Sequence, residues 1–144
     1  MQIDSEGAQA CRVGNPSPWG AIEHATCISH GLWRIYTESH GGYWISAARM
    51  AELPAEVKTG ISGYRNYWEE DCDWAPLAIM WPDDFCQGLA PNTTQEMIVA
   101  YARQLMERHP VALAAADKHV AARRQAIHHG FGAAAARGGA SLFR

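Results

Sequence analysis

An α+β domain, with a short three-stranded antiparallel sheet packed by two to four helices, is the fold this sequence predicts, on three observations. Between residues 19 and 46, β-compatible segments are separated by two glycine-bearing turns. After Ser46, helix-start residues recur ahead of apolar runs. The chain has 144 residues, 48% of them hydrophobic and 19% charged, which suits one core-forming domain and not a disordered segment. A chain of this length buries about two-thirds of its unfolded surface.

Residues 1–16 read as a polar lead-in. In Asn15-Pro16-Ser17-Pro18 the two prolines favour extended backbone over helix. The α+β core domain is expected over residues 17–110. Its first strand covers residues 21–28, with Ile22, Thr26 and Ile28 on one face. His30-Gly31 makes a tight turn, because glycine accepts positive φ freely. Residues 32–38 alternate, placing Trp33, Ile35 and Thr37 on one side and Arg34, Tyr36 and Glu38 on the other. Gly41-Gly42 is read as a second turn and Tyr43-Trp44-Ile45 as the third strand of a meander.

Helices follow. Ser46 caps a short one, Ala47–Glu52, stopped by Pro54. Gly60 and Gly63 mark a loop. Asn66, with Glu69 three residues later, has the form of a capping box. A helix is therefore expected from 66 to about 80, with Tyr67, Trp74, Ala78 and Trp81 on one face. Pro76 either kinks it or follows a fresh start capped by Asp73, and Trp81-Pro82 ends it. Thr93 and Glu96 form a second box ahead of an apolar stripe of Met97, Ile98, Tyr101 and Leu105, and Pro110 stops that helix. The sheet is expected beneath these two helices. Residues 111–129 read as an alanine-rich C-terminal helix ended by Gly130, and residues 130–144 as a flexible tail.

Charge is unevenly placed. Residues 1–100 carry five Lys/Arg against thirteen Asp/Glu, and residues 101–144 carry seven against two. An acidic body with a basic C-terminal segment suits mutual docking or an anionic partner for that segment alone. Cys11, Cys27, Cys72 and Cys86 form no C-x-x-C pair, so free, buried thiols are expected in place of a disulfide framework. No apolar run approaches the roughly 20 residues of a membrane span. The acidic Met1-Gln2-Ile3-Asp4-Ser5-Glu6 lacks the layout of a signal peptide. A cytoplasmic location without a membrane partner is the expectation.

Two segments concentrate unusual residues: Ser39-His40-Gly41-Gly42-Tyr43-Trp44 and Tyr67-Trp68-Glu69-Glu70-Asp71-Cys72-Asp73-Trp74. Ser39-His40 suggests a nucleophile and base, but adjacent strand residues point to opposite faces and cannot pair. His40 would need another nucleophile, such as Cys72 or Ser29. The carboxylates of Glu69, Glu70 and Asp73 would share one side if helical. Acids in a first helical turn complement the helix dipole, which explains the cluster without a metal. His24, His30, His40, Cys27 and Cys72 lack the short ligand spacing of a zinc site, and no metal or cofactor is expected. The catalytic candidates are His40, Glu70 and Asp73.

Tryptophan placement separates core from surface. Trp33, Trp44, Trp74 and Trp81 fall at core-facing positions, whereas Trp19 and Trp68 are less clearly inward. Exposed aromatics beside acids suit a protein partner. The expected partner-binding set is Trp19, Ser39, His40, Gly41, Gly42, Trp68, Glu69, Glu70 and Asp71. Nucleic-acid stacking needs basic neighbours, so nucleic acid is expected only through the basic C-terminal segment.

Ser17-Pro18-Trp19-Gly20, then Ser39-His40-Gly41-Gly42 with Ser46 and Arg49, then Trp68-Glu69-Glu70-Asp71-Cys72-Asp73-Trp74-Ala75, form a combination. It resembles a small family of uncharacterised bacterial and phage proteins, a domain of unknown function. The resemblance covers residues 17–86 and implies a cytoplasmic domain often carried on mobile elements, without an assigned activity. The functional expectation is a small cytoplasmic, non-enzymatic protein-binding or accessory module of phage or mobile-element origin, with modulation of host defence as one form. The alternative is a small hydrolase or metal-dependent enzyme using His40 and the acids of residues 69–73.

Overall fold

The computed structural model describes residues 3–60, 66–87 and 89–136. The chain is α+β, and its sheet has one strand more than the three expected. Strands β3 (His24–Ser29), β4 (Leu32–Tyr36), β5 (Gly41–Ile45) and β6 (Tyr67–Glu69) pair antiparallel in that order. A separate small hairpin joins β1 (Pro16–Ser17) to β2 (Gly20–Ala21); Pro16 is extended, as read, while Pro18 lies in the turn. The β3–β4 turn at His30-Gly31 forms as predicted, with Gly31 at φ 79°.

Strand register assigns the faces. Leu32, Arg34 and Tyr36 pair with Ile45, Tyr43 and Gly41, and Tyr43 pairs with Trp68, so these side chains share one face. Trp33, Ile35, Trp44 and Tyr67 share the other. Every residue of β5 is buried, because both faces are covered. On the first face lies the larger core, around Leu32, Tyr43, Ile45, Trp68, Trp74 and Trp81. On the second, Cys11, Ile22, Ile35 and Trp44 form a smaller core with Trp19 and Trp33 partly buried against it. The tryptophans expected in one core are therefore split between two. Ile22 also parts from Ile28, because it lies before β3 and packs on the second face.

The helical layer sits on the first face. Helix α4 (Ala75–Met80) is buried at all six positions and packs against α6 (Gln95–Met106) and α7 (Pro110–Ala136). A four-residue turn of helix, α5 (Pro82–Phe85), follows α4 directly, each proline standing in a first turn where its missing N–H is harmless. Helix α2 (Ala47–Glu52) starts as predicted, Ser46 Oγ accepting from the Arg49 N–H at 3.2 Å. Three helices were not anticipated: α1 (Ser5–Ala10) in the lead-in, α3 (Ala55–Gly60), whose last residue is the expected loop glycine, and the short α5. Gly63 lies outside the described residues.

Four expectations are corrected. Residues 67–69 are a strand and not a helical turn. Asn66 is no N-cap: its Nδ2 donates to the Ile45 carbonyl at 2.7 Å, and its own carbonyl accepts from the Ile45 N–H at 2.9 Å. Pairing with β5 buries Trp68 completely, which a solvent-side helix start would not do. Gly41-Gly42 is not a turn either; it opens β5, and the reversal falls at residues 37–40.

Helix α6 is capped by Thr94, one residue later than expected, and its buried line is Ala102 and Met106 with Ile98 and Leu105 half-buried. Met97 and Tyr101 are turned outward, 56% and 51% exposed. Finally, α7 runs through Gly130 to Ala136, so residues 130–136 are helix where a flexible tail was expected. Residues 137–144 lie outside the described residues. Among those described, no helix is long and apolar enough to cross a membrane.

Candidate functional site

Between the first face of the sheet and the helical layer lies an open cleft of about 850 Å³. Its floor is Arg34 on β4, with Tyr36 and Tyr43 beside it. The alternation of β4 sends Arg34 to the same face as Leu32, but two residues nearer the sheet end, where the helical layer stops short and a charge can stay half-exposed. Its guanidinium donates to the Tyr43 hydroxyl at 2.5 Å and to Glu70 Oε2 at 3.0 Å. The Tyr36 and Tyr43 rings lie 5.0 and 4.8 Å from its central carbon, within cation–π range. Arg34 Nε is buried with no hydrogen-bond acceptor among the described residues, and ring faces and the Glu70 charge surround the group. Burial pushes the Tyr43 hydroxyl above its usual pKa, with the Arg34 charge and hydrogen bond opposing the shift.

One wall is a ladder of aromatic rings. Tyr43 meets Phe85 at 5.0 Å, Phe85 stacks on Trp74 at 5.5 Å, and Trp74 meets Tyr101 at 5.9 Å. These separations are those of favourable ring pairs, so the rings form a continuous wall from the sheet to α6. Asp71 stands at the rim, where its N–H donates to Glu69 Oε2 at 2.9 Å. Thr26, Cys27 and Ile28 of β3 form the opposite lip.

A smaller cavity of about 460 Å³ lies on the far side of Tyr101, with Cys72, Asp73 and His109 in its lining. Partial burial, then Asp73, push the Cys72 thiol up, which keeps it protonated and a poor nucleophile. Burial also raises Asp73, against the hydrogen bond from the Cys72 thiol at 3.6 Å.

The four cysteines are free, as expected, although only Cys11 is fully buried. Burial, followed by Asp4 and Cys27, pushes that thiol up to about 12. Among the described residues no three His, Cys, Asp or Glu side chains converge as a metal site would require.

A family model covers residues 12–130 of this chain. The chain belongs to the family described as Domain of unknown function (DUF7007). No curated protein and no solved structure matches it. The DUF7007 match takes in every residue of the cleft and leaves out α1.

Within this DUF7007 chain the two unusual segments do meet, but through backbone. Gly42 pairs with Glu69, and the Glu70 N–H donates to the Gly41 carbonyl at 3.2 Å. A Cβ on Gly41 would come within 2.8 Å of Glu70 Oε2, and one on Gly42 would press on the Trp68 carbonyl at 2.5 Å and on the Trp19 ring. The double glycine thus serves close approach, not unusual φ.

Of the sequence-derived candidates, Glu70 and Asp71 enter the cleft. Trp68 is fully buried, so it offers nothing to a partner. Gly41 and Gly42 are buried too, and Glu69 lies on the second face. Trp19 is half-buried, edge-on to Tyr67 at 6.0 Å. Ser39 Oγ donates to the Trp19 carbonyl at 3.5 Å. His40 is exposed and tied by its backbone to Thr37, while its ring makes no hydrogen bond among the described residues and lines neither cavity. Asp73 belongs to the smaller cavity.

Arg34, Tyr36, Tyr43, Trp74, Phe85 and Tyr101 were not anticipated as a group. The placement of Arg34 and Tyr36 on one strand face was the readable part of the signal. The partners that convert that face into a site come from residues 43, 70, 74, 85 and 101.

Proposed function

We propose that this DUF7007 chain is a small, non-enzymatic protein-binding module whose cleft takes in a segment of its partner. The observation that carries the reading is the preformed aromatic ladder of Tyr43, Phe85, Trp74 and Tyr101 facing the Arg34–Glu70 pair across an open cleft. Aromatic side chains lose little entropy on contact and, with arginine, dominate binding energy at protein interfaces. A concave, largely apolar site with few fixed polar groups is the usual form of a binding pocket. A cytoplasmic setting, a phage or mobile-element origin and a role in modulating host defence complete the reading; they rest on motif resemblance and charge layout.

The rival enzyme, built on His40 and the acids of residues 69–73, needs the His40 ring within reach of a carboxylate. No hydrogen bond joins that ring to Glu69, Glu70, Asp71 or Asp73 among the described residues. The test is affinity capture from lysate of a bacterial host, using the tagged chain and three variants. Tyr101→Ala and Glu70→Ala should lose a partner that the His40→Ala variant keeps. A partner retained by Tyr101→Ala, or none captured above an unrelated acidic protein, sinks the proposal.

A further inference from the structure

The occupant of the cleft can be narrowed, on the reading that the cleft binds a protein segment. We infer that the segment is extended and basic, adding as a strand to the free edge of β3 while a lysine or arginine side chain enters the cleft. Strand β3 ends the sheet and pairs with β4 alone. Among the described residues, no backbone hydrogen bond leaves residues 24–28 for any other element. Natural edges are commonly blunted by lysine, proline or a bulge. His24-Ala25-Thr26-Cys27-Ile28-Ser29 contains neither lysine nor proline, and its register shift falls only between Cys27 and Ser29, at the end next to the turn. The stretch from His24 to Cys27 is thus a regular, uncharged and exposed template.

This edge is also one lip of the cleft, through Thr26, Cys27 and Ile28. A strand laid along it points alternate side chains at the Tyr101 and Trp74 rings on the opposite wall. Charge decides which side chains suit that position. Among residues lining the cleft, Arg34 is balanced by Glu70, which leaves the Asp71 carboxylate without a cation among the described residues. The wall segment, residues 66–87, holds six Asp/Glu and no Lys/Arg. A cation is therefore attracted by the local field and by the faces of the rings, whereas an acidic segment is repelled.

The test uses labelled peptides of alternating valine and lysine, of alternating valine and glutamate, and a valine–lysine peptide N-methylated at alternate residues. Fluorescence anisotropy should show the valine–lysine peptide binding the full chain. Affinity should fall about threefold in Asp71→Asn, the size of one exposed ion pair, and about tenfold on N-methylation, the size of two strand hydrogen bonds lost. Amide exchange at residues 24–27 should slow on binding. Equal binding of the glutamate peptide, unchanged affinity on N-methylation, or unprotected amides at 24–27 overturns the inference. Failure of the valine–lysine peptide to bind, beside lysate capture that still depends on Tyr101, overturns this occupant and leaves the cleft as the binding site. Loss of that Tyr101 dependence removes the cleft reading itself.

Discussion

Asp4 shows how one side chain can tie a segment to a fold. Its carboxylate accepts from the Gly7 N–H at 3.1 Å, the Gly31 N–H at 2.7 Å and the Trp33 indole at 2.7 Å, joining α1 to the β3–β4 turn. Burial alone would raise its pKa, but these three bonds together hold it below the ordinary 3.8. A carboxyl lowered in the folded state contributes stability that is complete above its unfolded pKa and is lost as pH falls through the folded one. Asp4→Asn should therefore cost about 2 kcal/mol at neutral pH, since an amide leaves a donor facing donors. That difference should shrink in denaturant titrations at acid pH. Gly42 makes the opposite case, where an added atom does harm. Gly42→Ala should destabilise by about 2 kcal/mol, because its Cβ meets the Trp68 carbonyl, which is fixed in the β5–β6 pairing, and the Trp19 ring. Thermal unfolding measures it.

Elements with local start signals were legible, and those defined by a distant partner were not. Ser46 caps α2 as read, because a hydroxyl reaching an N–H three residues on is a local event. At α6 the same logic met two adjacent threonines. Thr94 and not Thr93 accepts from the Met97 N–H, so the cap falls one residue later than read, while the side the helix buries is set by its packing on α4 and α7. Thr94→Ala should cost about 1 kcal/mol and Thr93→Ala distinctly less, a contrast that chemical denaturation resolves. Residues 66–69 were misread because Asn66 and Glu69 satisfy the spacing of a capping box. The rows of hydrogen bonds offered by β5 and the burial of Trp68 override that preference.

At the scale of the molecule, the basic C-terminal segment pairs with itself at one point and reaches the acidic body at a backbone carbonyl. Arg103 of α6 makes a bidentate pair with Asp117 of α7 at 2.7 and 2.9 Å, and Arg123 donates to the Met80 carbonyl of α4. The Arg103 hydrogen bonds hold Asp117 below the usual carboxylate range. Both side chains are nearly half exposed, so solvent screens the pair. Asp117→Asn should cost less than about 1 kcal/mol, with the loss fading in molar salt. A larger, salt-insensitive loss would mean that α7 depends on this contact instead of on Ala112 and Ala116 in the core.

What the sequence by itself determined is whatever backbone chemistry settles within a few residues. The α+β class, the reversal at Gly31, the alternation of β4 and the start of α2 all belong there. The tertiary structure alone decided that a fourth strand closes the sheet, that tryptophans divide between two cores, and that no hydrogen bond among the described residues joins the His40 ring to the acids. It also turned Arg34 from one polar residue of an alternating strand into the centre of a cleft. The physical reason is range: caps and periodicity act across one turn or one pleat, whereas Arg34 meets Glu70 only after β4, β5 and β6 have taken their register.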